Sequence, residues 1–343
     1  MNRKNLLNKI LIDKEVLSQA LPIAEKIGLP YTLIDDTDTI TGSKDTVLFT
    51  SKKGGFVKPC PCSKDSVSCG YYNINLVEGC FFNCSYCILQ LYLKDRPITV
   101  YTNLDSLFSE LDTLLSSGKF IRIGTGELGD SLCLEEYTGY AAKLIEYFND
   151  KNALFEVKTK DSRIESLLNC KHNGKTVISF SMNPEKLAAT EETGASTPDE
   201  RIRALKTAQN AGYPVGLHFD PVILDNGWEK DYLEFIKQIG KELSIQKIKW
   251  ISIGLLRFPF ALKPIILFEQ PTSKILAGEL IRTEEGKIRY FAGLRKKAYS
   301  FMLTLIKKTF PEVPVYFCME TQEIQKAFHA EKTLLRKIYQ MTG

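Results

Sequence analysis

Histidine is scarce in this sequence, long apolar runs are missing, and neither sign of charge dominates. The 343 residues include only three histidines, the first of them His172. No stretch approaches the length of a membrane span, so a membrane protein is not expected. The formal net charge of +4 permits contact with a polyanion without requiring it, because nucleic-acid-binding surfaces usually show a stronger basic bias.

The amino terminus lacks a signal-peptide pattern. Acids and lysines interrupt the apolar part of residues 1–16 too early for one, so we expect a cytoplasmic protein. The nine cysteines are too few and too unevenly spread for a small secreted disulfide framework. Six of them lie between Cys60 and Cys87, a distribution more typical of intracellular metal binding.

Strand-like and helix-like patterns alternate along most of the chain. Strands are predicted at 72–77, 120–123, 154–159, 177–182, 214–219, 249–255 and 313–318, with helices at 104–115, 137–148, 197–212, 228–239 and 295–308. The alternation favours right-handed parallel crossovers, hence an α/β barrel or an open doubly wound sheet. Either architecture places its chemistry at the carboxyl ends of the strands.

Three segments are predicted. Residues 1–70 form a small N-terminal extension, with a helix over 14–27 capped by Asp13, and with a Gly-, Pro-, Ser- and Cys-rich loop at its end. Residues 71–320 form the main domain, and residues 321–343 contain a C-terminal helix whose charges favour a solvated face.

Cys80, Cys84 and Cys87 follow directly after the first strand of the main domain. A cubane iron–sulfur cluster normally takes four thiolates, so a loop that supplies three leaves one iron open to a substrate or cofactor. A zinc knuckle or buried structural thiols are the alternatives. Zinc usually requires a fourth Cys or His nearby, and no histidine precedes His172, so the spacing favours a cluster.

This loop resembles the cluster motif of the radical S-adenosylmethionine (SAM) superfamily. Further segments, among them RIGTGELGDSL, KHNGKTVISFSMNPE and GLLRFPFALKP, are similar to the spore photoproduct lyase family over residues 55–320. The resemblance implies an α/β fold with a partial (β/α)6 barrel, and a [4Fe-4S] cluster and SAM as cofactors. It also implies reductive cleavage of SAM to a 5′-deoxyadenosyl radical that abstracts hydrogen from a thymine photoproduct or related nucleobase lesion in DNA.

The resemblance also assigns residues to SAM binding. Lys160 and Ser181 match positions that hold SAM, and an ammonium and a hydroxyl suit a carboxylate and a ribose. Glu127 resembles the segment that meets the SAM ammonium group, with Asp130 as its neighbour; either residue could instead only cap the following helix. Tyr86 is expected beside the adenine or the cluster, or else as an ordinary core residue. An electron donor such as flavodoxin or ferredoxin is the expected partner, with DNA as a second.

Two departures concern the substrate. DNA-repairing members of the family carry a hydrogen-donating cysteine in the loop that corresponds to residues 127–130, whereas the nearest thiol here is Cys133, which becomes the candidate donor. They also have a tyrosine directly after the third cluster cysteine, where this chain has Ile88. A radical SAM enzyme with a non-DNA substrate is therefore the alternative.

The remaining cysteines and His218 are also candidates for the site, but most of them are better explained by structural roles. Cys60, Cys62 and Cys69 could hold an auxiliary cluster or metal, but no fourth ligand is evident in the sequence, so a structural loop is favoured. Cys170 and Cys318 are expected to be buried small side chains. His218 is as compatible with a hydrogen-bonded core residue as with a substrate contact.

Overall fold

The computed structural model describes residues 6–37, 39–62, 66 and 68–328. Its strands are β1 Lys9–Asp13, β2 Tyr31–Ile34, β3 Thr46–Thr50, β4 Val57–Pro59, β5 Tyr71–Ile74, β6 Val77–Glu78, β7 Asn83–Cys84, β8 Ile98–Tyr101, β9 Ile121–Thr125, β10 Ala153–Thr159, β11 Thr176–Ser181, β12 Glu192–Thr193, β13 Val215–Val222, β14 Ile248–Leu255, β15 Arg257–Pro259, β16 Leu280–Arg282, β17 Lys287–Tyr290 and β18 Val315–Phe317.

The α-helices are α1 Leu17–Ile27, α2 Leu89–Tyr92, α3 Leu104–Leu115, α4 Glu135–Thr138, α5 Tyr140–Phe148, α6 Glu185–Glu191, α7 Pro198–Asn210, α8 Trp228–Glu242, α9 Leu262–Glu269, α10 Ala292–Thr309 and α11 Gln322–Ala327. Short 3-10 helices lie at Lys14–Val16, Glu165–Leu167, Ile245–Lys247 and Ile275–Ala277. Within the described ranges, no helix is both long and apolar enough to cross a membrane.

The main sheet is a curled half-barrel. Its order is β18-β14-β13-β11-β10-β9-β5-β4, and every neighbouring pair is parallel except β4 with β5. The inner strands β10 and β11 are buried along almost their whole length, as expected for parallel strands that are covered on both faces. The predicted partial (β/α)6 barrel is confirmed, and all seven predicted strands contribute to it.

A second sheet joins the N-terminal segment to the main domain. Its order is β2-β1-β3-β8-β6. Strand β8 comes from beyond residue 70 and pairs with β3 from before it, and β6 pairs with the other edge of β8. The predicted strand at 72–77 is therefore two strands: β5 belongs to the barrel and β6 to the N-terminal sheet. The domain boundary near residue 70 stays a prediction. Strand β4, from before residue 70, belongs to the barrel sheet, and β8, from after it, belongs to the N-terminal sheet.

Local signals account for several helix ends. Asp13 accepts a hydrogen bond from the Glu15 amide, and Gly28 ends α1 in the left-handed conformation. Thr197 and Glu200 form the predicted capping box of α7. The helix predicted at 137–148 is interrupted at Gly139, whose positive φ separates α4 from α5. The predicted C-terminal helix is described only as α11, and residues 329–343 lie outside the described residues.

Candidate functional site

A cavity opens at the carboxyl ends of the barrel strands. Its volume is about 360 Å³, within the range of small-molecule sites. The side chains that line it include thiols, two lysines, several carboxylates and two tyrosines. The predicted site residues on its wall are Cys80, Cys84, Cys87, Glu127, Asp130, Lys160 and Ser181.

The cysteine loop (residues 79–88) occupies one side of this cavity. Its three thiols are free, and burial raises the pKa of both Cys84 and Cys87. Across the part of the chain that the structure describes, no three His, Cys, Asp or Glu side chains converge as ligands of a single metal ion. The three thiols thus share one cavity wall.

Backbone contacts fix the start and the middle of the cysteine loop. Gly79 forms a bridge with Gly129 and donates its amide to Leu128 O at 2.7 Å. A β-carbon at Gly129 would stand 2.7 Å from Gly79 O, so only glycine permits this approach. Further along, β7 pairs antiparallel with β12, with Cys84 opposite Glu192.

Two adjacent carboxylates brace the loop from α6 and β12. Glu191 accepts hydrogen bonds from the Ser85 hydroxyl and, at 2.6 Å, from Ser273. Glu192 accepts from the Tyr86 hydroxyl and lies 2.5 Å from Arg201 in an ion pair whose two side chains are 0% exposed. Burial favours the neutral acid, but the charges of Arg201 and Lys160 lower the pKa of Glu192 to about 2. Sequence reasoning missed these residues, because a bond across 106 positions leaves no local pattern.

The predicted SAM-binding cation lies beside this ion pair. The Lys160 ammonium is 5.6 Å from the centre of the Tyr86 ring. Burial alone would lower the pKa of Lys160, but the charges of Glu192 and Cys84 outweigh burial and raise it. Lys160 therefore presents a permanent positive charge to the cavity. Ser181 ends β11 on the same wall, and its carbonyl accepts from Arg201 at 2.9 Å.

The two predicted carboxylates differ in their surroundings. Asp130 accepts hydrogen bonds from the Leu132 amide at 2.9 Å, the Thr159 hydroxyl at 2.6 Å and the Lys160 amide at 2.7 Å. This capping geometry holds the loop after β9 against the end of β10. Glu127 has more freedom: Asn75 donates to it at 3.4 Å, and burial raises its pKa.

Cys133 lies behind the cysteine loop rather than on the cavity wall. Its side chain is 0% exposed, it contacts Gly79 O at 3.9 Å, and it hydrogen-bonds with Cys80, which together with burial raises the pKa of Cys80. This position does not favour direct hydrogen donation to a molecule in the cavity. It suits an outer contact to a cluster ligand, since hydrogen bonds to ligand sulfurs tune such clusters.

His218 and Asp220 of β13 and Arg257 of β15 also line the cavity. His218 Nε2 is 2.7 Å from Glu156 Oε1, and its Nδ1 is 2.6 Å from Ser252 Oγ. Asp220 and Arg257 form a two-point ion pair with bonds of 2.9 and 3.1 Å. His218 is thus both hydrogen-bonded in the core and in contact with the cavity.

Cys170 and Cys318 are half-buried, so the expectation that both are buried is wrong. Cys318 follows β18, and the Arg257 guanidinium donates to its sulfur at 3.7 Å. It lines the cavity together with Cys60 and Cys69. The end of the last barrel strand therefore brings a fourth thiol to the loop of Cys60, Cys62 and Cys69.

The residues present fit a [4Fe-4S] cluster with SAM. The thiols of Cys80, Cys84 and Cys87 would hold such a cluster, and without a fourth ligand in their loop one iron would stay open to SAM. Lys160 offers a cation for a carboxylate, and Ser181 offers a hydroxyl. Both lie at strand ends on the same cavity as the thiols, which brings together the residues predicted for cluster and cofactor.

Comparison with known proteins gives one family. The family model described as spore photoproduct lyase matches residues 44–318. The spore photoproduct lyase of a Geobacillus strain is 28% identical over 258 residues, covering 72% of this chain and 76% of the relative. That of Clostridium acetobutylicum is 28% identical over 288 residues, covering 79% of this chain and 85% of the relative.

Solved structures show the same fold. A spore photoproduct lyase complexed with dinucleoside spore photoproduct has a TM-score of 0.80 at 24% identity. A mutant with bound AdoMet and dinucleoside spore photoproduct has a TM-score of 0.79 at 23% identity. Each comparison covers 91% of this chain and 99% of the other, so the similarity includes the N-terminal sheet as well as the barrel.

Proposed function

We propose, from the premise that this chain belongs to the spore photoproduct lyase family of radical SAM enzymes, that it acts on a thymine photoproduct or related nucleobase lesion in DNA. Like the family, it is a lyase that uses a [4Fe-4S] cluster and SAM. The observation that carries the proposal is the gathering of three cluster thiols, Lys160 and Ser181 around one cavity. When bound, the two cofactors supply reductive SAM cleavage and hydrogen abstraction.

The chain's own residues bind and orient the cluster and SAM. We propose Cys80, Cys84 and Cys87 as the cluster ligands, and Lys160 as the partner of the SAM carboxylate. Ser181 would hydrogen-bond the ribose and Glu127 the SAM ammonium group. These roles need little rearrangement, because all of these side chains border one cavity.

Tyr86 and Asp130 act by positioning. Tyr86 is fixed by its bond to Glu192, which keeps its ring beside the Lys160 ammonium. Asp130 is occupied by three donors, so we assign it to holding the Lys160 backbone rather than to touching SAM. This refines the expectation that Asp130 binds the cofactor itself.

We propose that the substrate binds where Glu156, Asp220 and Arg257 line the cavity. Arg257 keeps its charge against Asp220 and suits a phosphate or a carbonyl oxygen of a base. Both ring nitrogens of His218 are already hydrogen-bonded, to Glu156 and Ser252, so we assign His218 to positioning Glu156. A lesion between neighbouring nucleotides offers phosphate and carbonyl oxygens to Arg257, which supports the nucleic-acid assignment.

The sequence predicts Cys133 as the candidate donor of the hydrogen atom that is returned to the repaired base. In D₂O, an exchangeable S–H donor introduces deuterium into the repaired base. If Cys133 is that donor, Cys133→Ala abolishes deuterium transfer; its buried position leads us to expect that transfer persists. The matched control is Cys170→Ala, a half-buried thiol outside the cavity lining.

Electron delivery is proposed to come from an acidic donor such as flavodoxin or ferredoxin. A groove beside the cysteine loop is lined by Lys44, Lys94 and Arg96 together with Asn83 and Leu89. Asp95 and Glu269 offset part of its positive charge. We expect Lys94→Glu/Arg96→Glu to slow SAM cleavage driven by flavodoxin and to leave cleavage driven by dithionite unchanged.

A second candidate keeps the radical chemistry and replaces DNA with another substrate. Two observations favour it: the carboxylate of Glu127 lines the cavity in the loop where DNA-repairing members carry their thiol donor, and Ile88 borders the same cavity in place of their tyrosine. Glu156, Asp220 and Arg257 could equally bind a polar small molecule.

One assay series separates these proposals. Anaerobically reconstituted and reduced protein is tested for 5′-deoxyadenosine, with Cys80→Ala/Cys84→Ala/Cys87→Ala as the control. Thymine photoproduct is then supplied as a dinucleotide and within DNA. Reversal to thymines supports the first proposal. SAM cleavage without reversal supports the second, and no SAM cleavage with all three thiols intact rejects both.

A further inference from the structure

We propose that Cys60, Cys62, Cys69 and Cys318 form a second thiolate site, which holds an auxiliary iron–sulfur cluster on the cavity wall away from the cysteine loop. These four residues are referred to below as the second cysteine group. The inference rests on their placement and stands independently of the substrate proposed above. It assigns a function to a loop for which the sequence alone favoured a purely structural role.

The backbone brings the four thiols to one place. Before the loop, β4 pairs with β5, and the Cys60 amide donates to Tyr71 O at 2.8 Å. Within the loop, Ser66 bridges to Thr321, three residues beyond Cys318. The loop is thus fixed at its start to the first barrel strand and in its middle to the segment after the last strand.

Contacts among the thiols follow from this folding. The Cys62 amide donates to Cys60 O at 2.8 Å, a tight turn that holds these two cysteines close together. Cys60 shares the cavity wall with Cys69 and Cys318. Three of the four thiols border the cavity, and the segment after β18 supplies the ligand that the sequence appeared to lack.

A cation contacts the second cysteine group. Arg257 donates to the Cys318 sulfur at 3.7 Å while it also pairs with Asp220. A cluster with four thiolates carries net negative charge, so this hydrogen bond would offset part of the cost of burying that charge.

Arg122 is a buried cation close to the second cysteine group. Its side chain is 1% exposed, and its guanidinium carbon lies 4.4 Å from the Trp250 ring centre. Its electrostatic neighbours include Tyr316, Cys69 and the carboxylate of Glu156. Glu156 thus already stands near this cation, and a cluster bound by Cys69 would place a second anion there.

We propose a cluster rather than a single ion. Zinc draws four ligands to one centre, and among the described residues no three His, Cys, Asp or Glu side chains converge in that way. The ligands of a cluster bind different irons.

The test removes the first cluster and looks for the second. Cys80→Ala/Cys84→Ala/Cys87→Ala is reconstituted anaerobically with ferrous iron and sulfide, and iron, sulfide and visible absorbance are measured. We expect iron and sulfide in equal amounts to remain, with a charge-transfer band. Adding Cys62→Ala or Cys318→Ala should abolish both, whereas adding Cys170→Ala should not. Wild-type protein should hold more than the roughly four irons of one cubane.

Three results would overturn the proposal. The first is a triple variant that folds by circular dichroism yet binds no iron or sulfide. The second is uptake of zinc alone when zinc is offered in parallel. The third is a Cys60–Cys62 disulfide, found by mass spectrometry, in protein kept anaerobic throughout. Because these readouts do not involve SAM cleavage or lesion reversal, their failure is distinguishable from failure of the proposed function.

Discussion

Replacing Glu192 by glutamine isolates the charge of the buried pair beneath the cysteine loop. Gln keeps the shape and an oxygen that can still accept from Tyr86 and Asn183. Arg201 loses its counter-charge while remaining 0% exposed. Breaking a buried ion pair on one side typically costs about 3–5 kcal/mol, which is a large part of the stability of an ordinary domain.

Urea unfolding of the metal-free chain, followed by circular dichroism, measures this cost. With a urea dependence of about 3 kcal/mol per molar, the midpoint of Glu192→Gln should fall by roughly 1 M or more. The matched control is Glu242→Gln, which breaks the exposed Lys206–Glu242 pair, 2.8 Å long and 53% and 45% exposed. That change should cost about 1 kcal/mol or less.

A double variant tests the reasoning further. Glu192→Gln/Arg201→Met removes both charges, so its loss should be smaller than the sum of the two single losses. If Glu192→Gln unfolds at the same urea concentration as Glu242→Gln, the buried pair does not stabilise this part of the barrel. The account of how the cysteine loop is braced would then fail.

Three further changes have defined outcomes. Lys160→Met should weaken SAM binding to the reconstituted protein by about 10- to 100-fold, the equivalent of a charge-assisted hydrogen bond of roughly 1.5–3 kcal/mol. The control Lys230→Met, at an exposed lysine, should not change it. Equal SAM affinities of the two variants would refute the assignment of Lys160. Cys133→Ala should lower the cluster's midpoint potential in a redox titration at unchanged iron content. A Cys80 thiolate bound to iron would only accept hydrogen bonds, so the neighbouring Cys133 S–H would turn from Gly79 O to donate to it, and that donor is lost in the variant. An unchanged potential would exclude this contact. Burial raises the pKa of Glu135 from 4.5 to about 6, so the folded chain binds this proton more tightly than the unfolded chain. The free energy of unfolding should therefore fall as pH rises from about 4.5 to about 6. Glu135→Gln should lack this fall, and parallel profiles of unfolding free energy against pH for the two proteins would contradict the prediction.

The barrel was predictable because its strands are covered on both faces. Parallel strands of this kind appear as unbroken apolar runs, and β10 is buried along almost its whole length. The capping box at Thr197 is equally local, since it involves only the four residues 197–200. Gly139 was missed because apolar spacing continues across it, although its positive φ ends one helix and begins the next.

The site was predictable only in part. The spacing of the three thiols lies within eight residues, and the family resemblance supplied Lys160 and Ser181. By contrast, Ser85 reaches Glu191 across 106 positions, and such pairings have no sequence period. Cys318 looked ordinary because its relation to Cys60 depends on the closing of the half-barrel, which no window along the chain contains.

The strand exchange between the two sheets has a consequence for cofactor assembly. The cysteine loop begins after β6 and is followed by β8, and these strands pair antiparallel with each other inside the N-terminal sheet. Integrity of that sheet therefore sets how closely the loop's ends are held, and a preorganised loop loses less entropy when it captures iron. By linkage, the captured iron stabilises the N-terminal sheet in return. Val47 lies in β3, next to β8, and is fully buried. A cavity-forming change such as Val47→Ala should therefore weaken iron retention without touching a ligand, so iron occupancy would report on the folding of the N-terminal sheet.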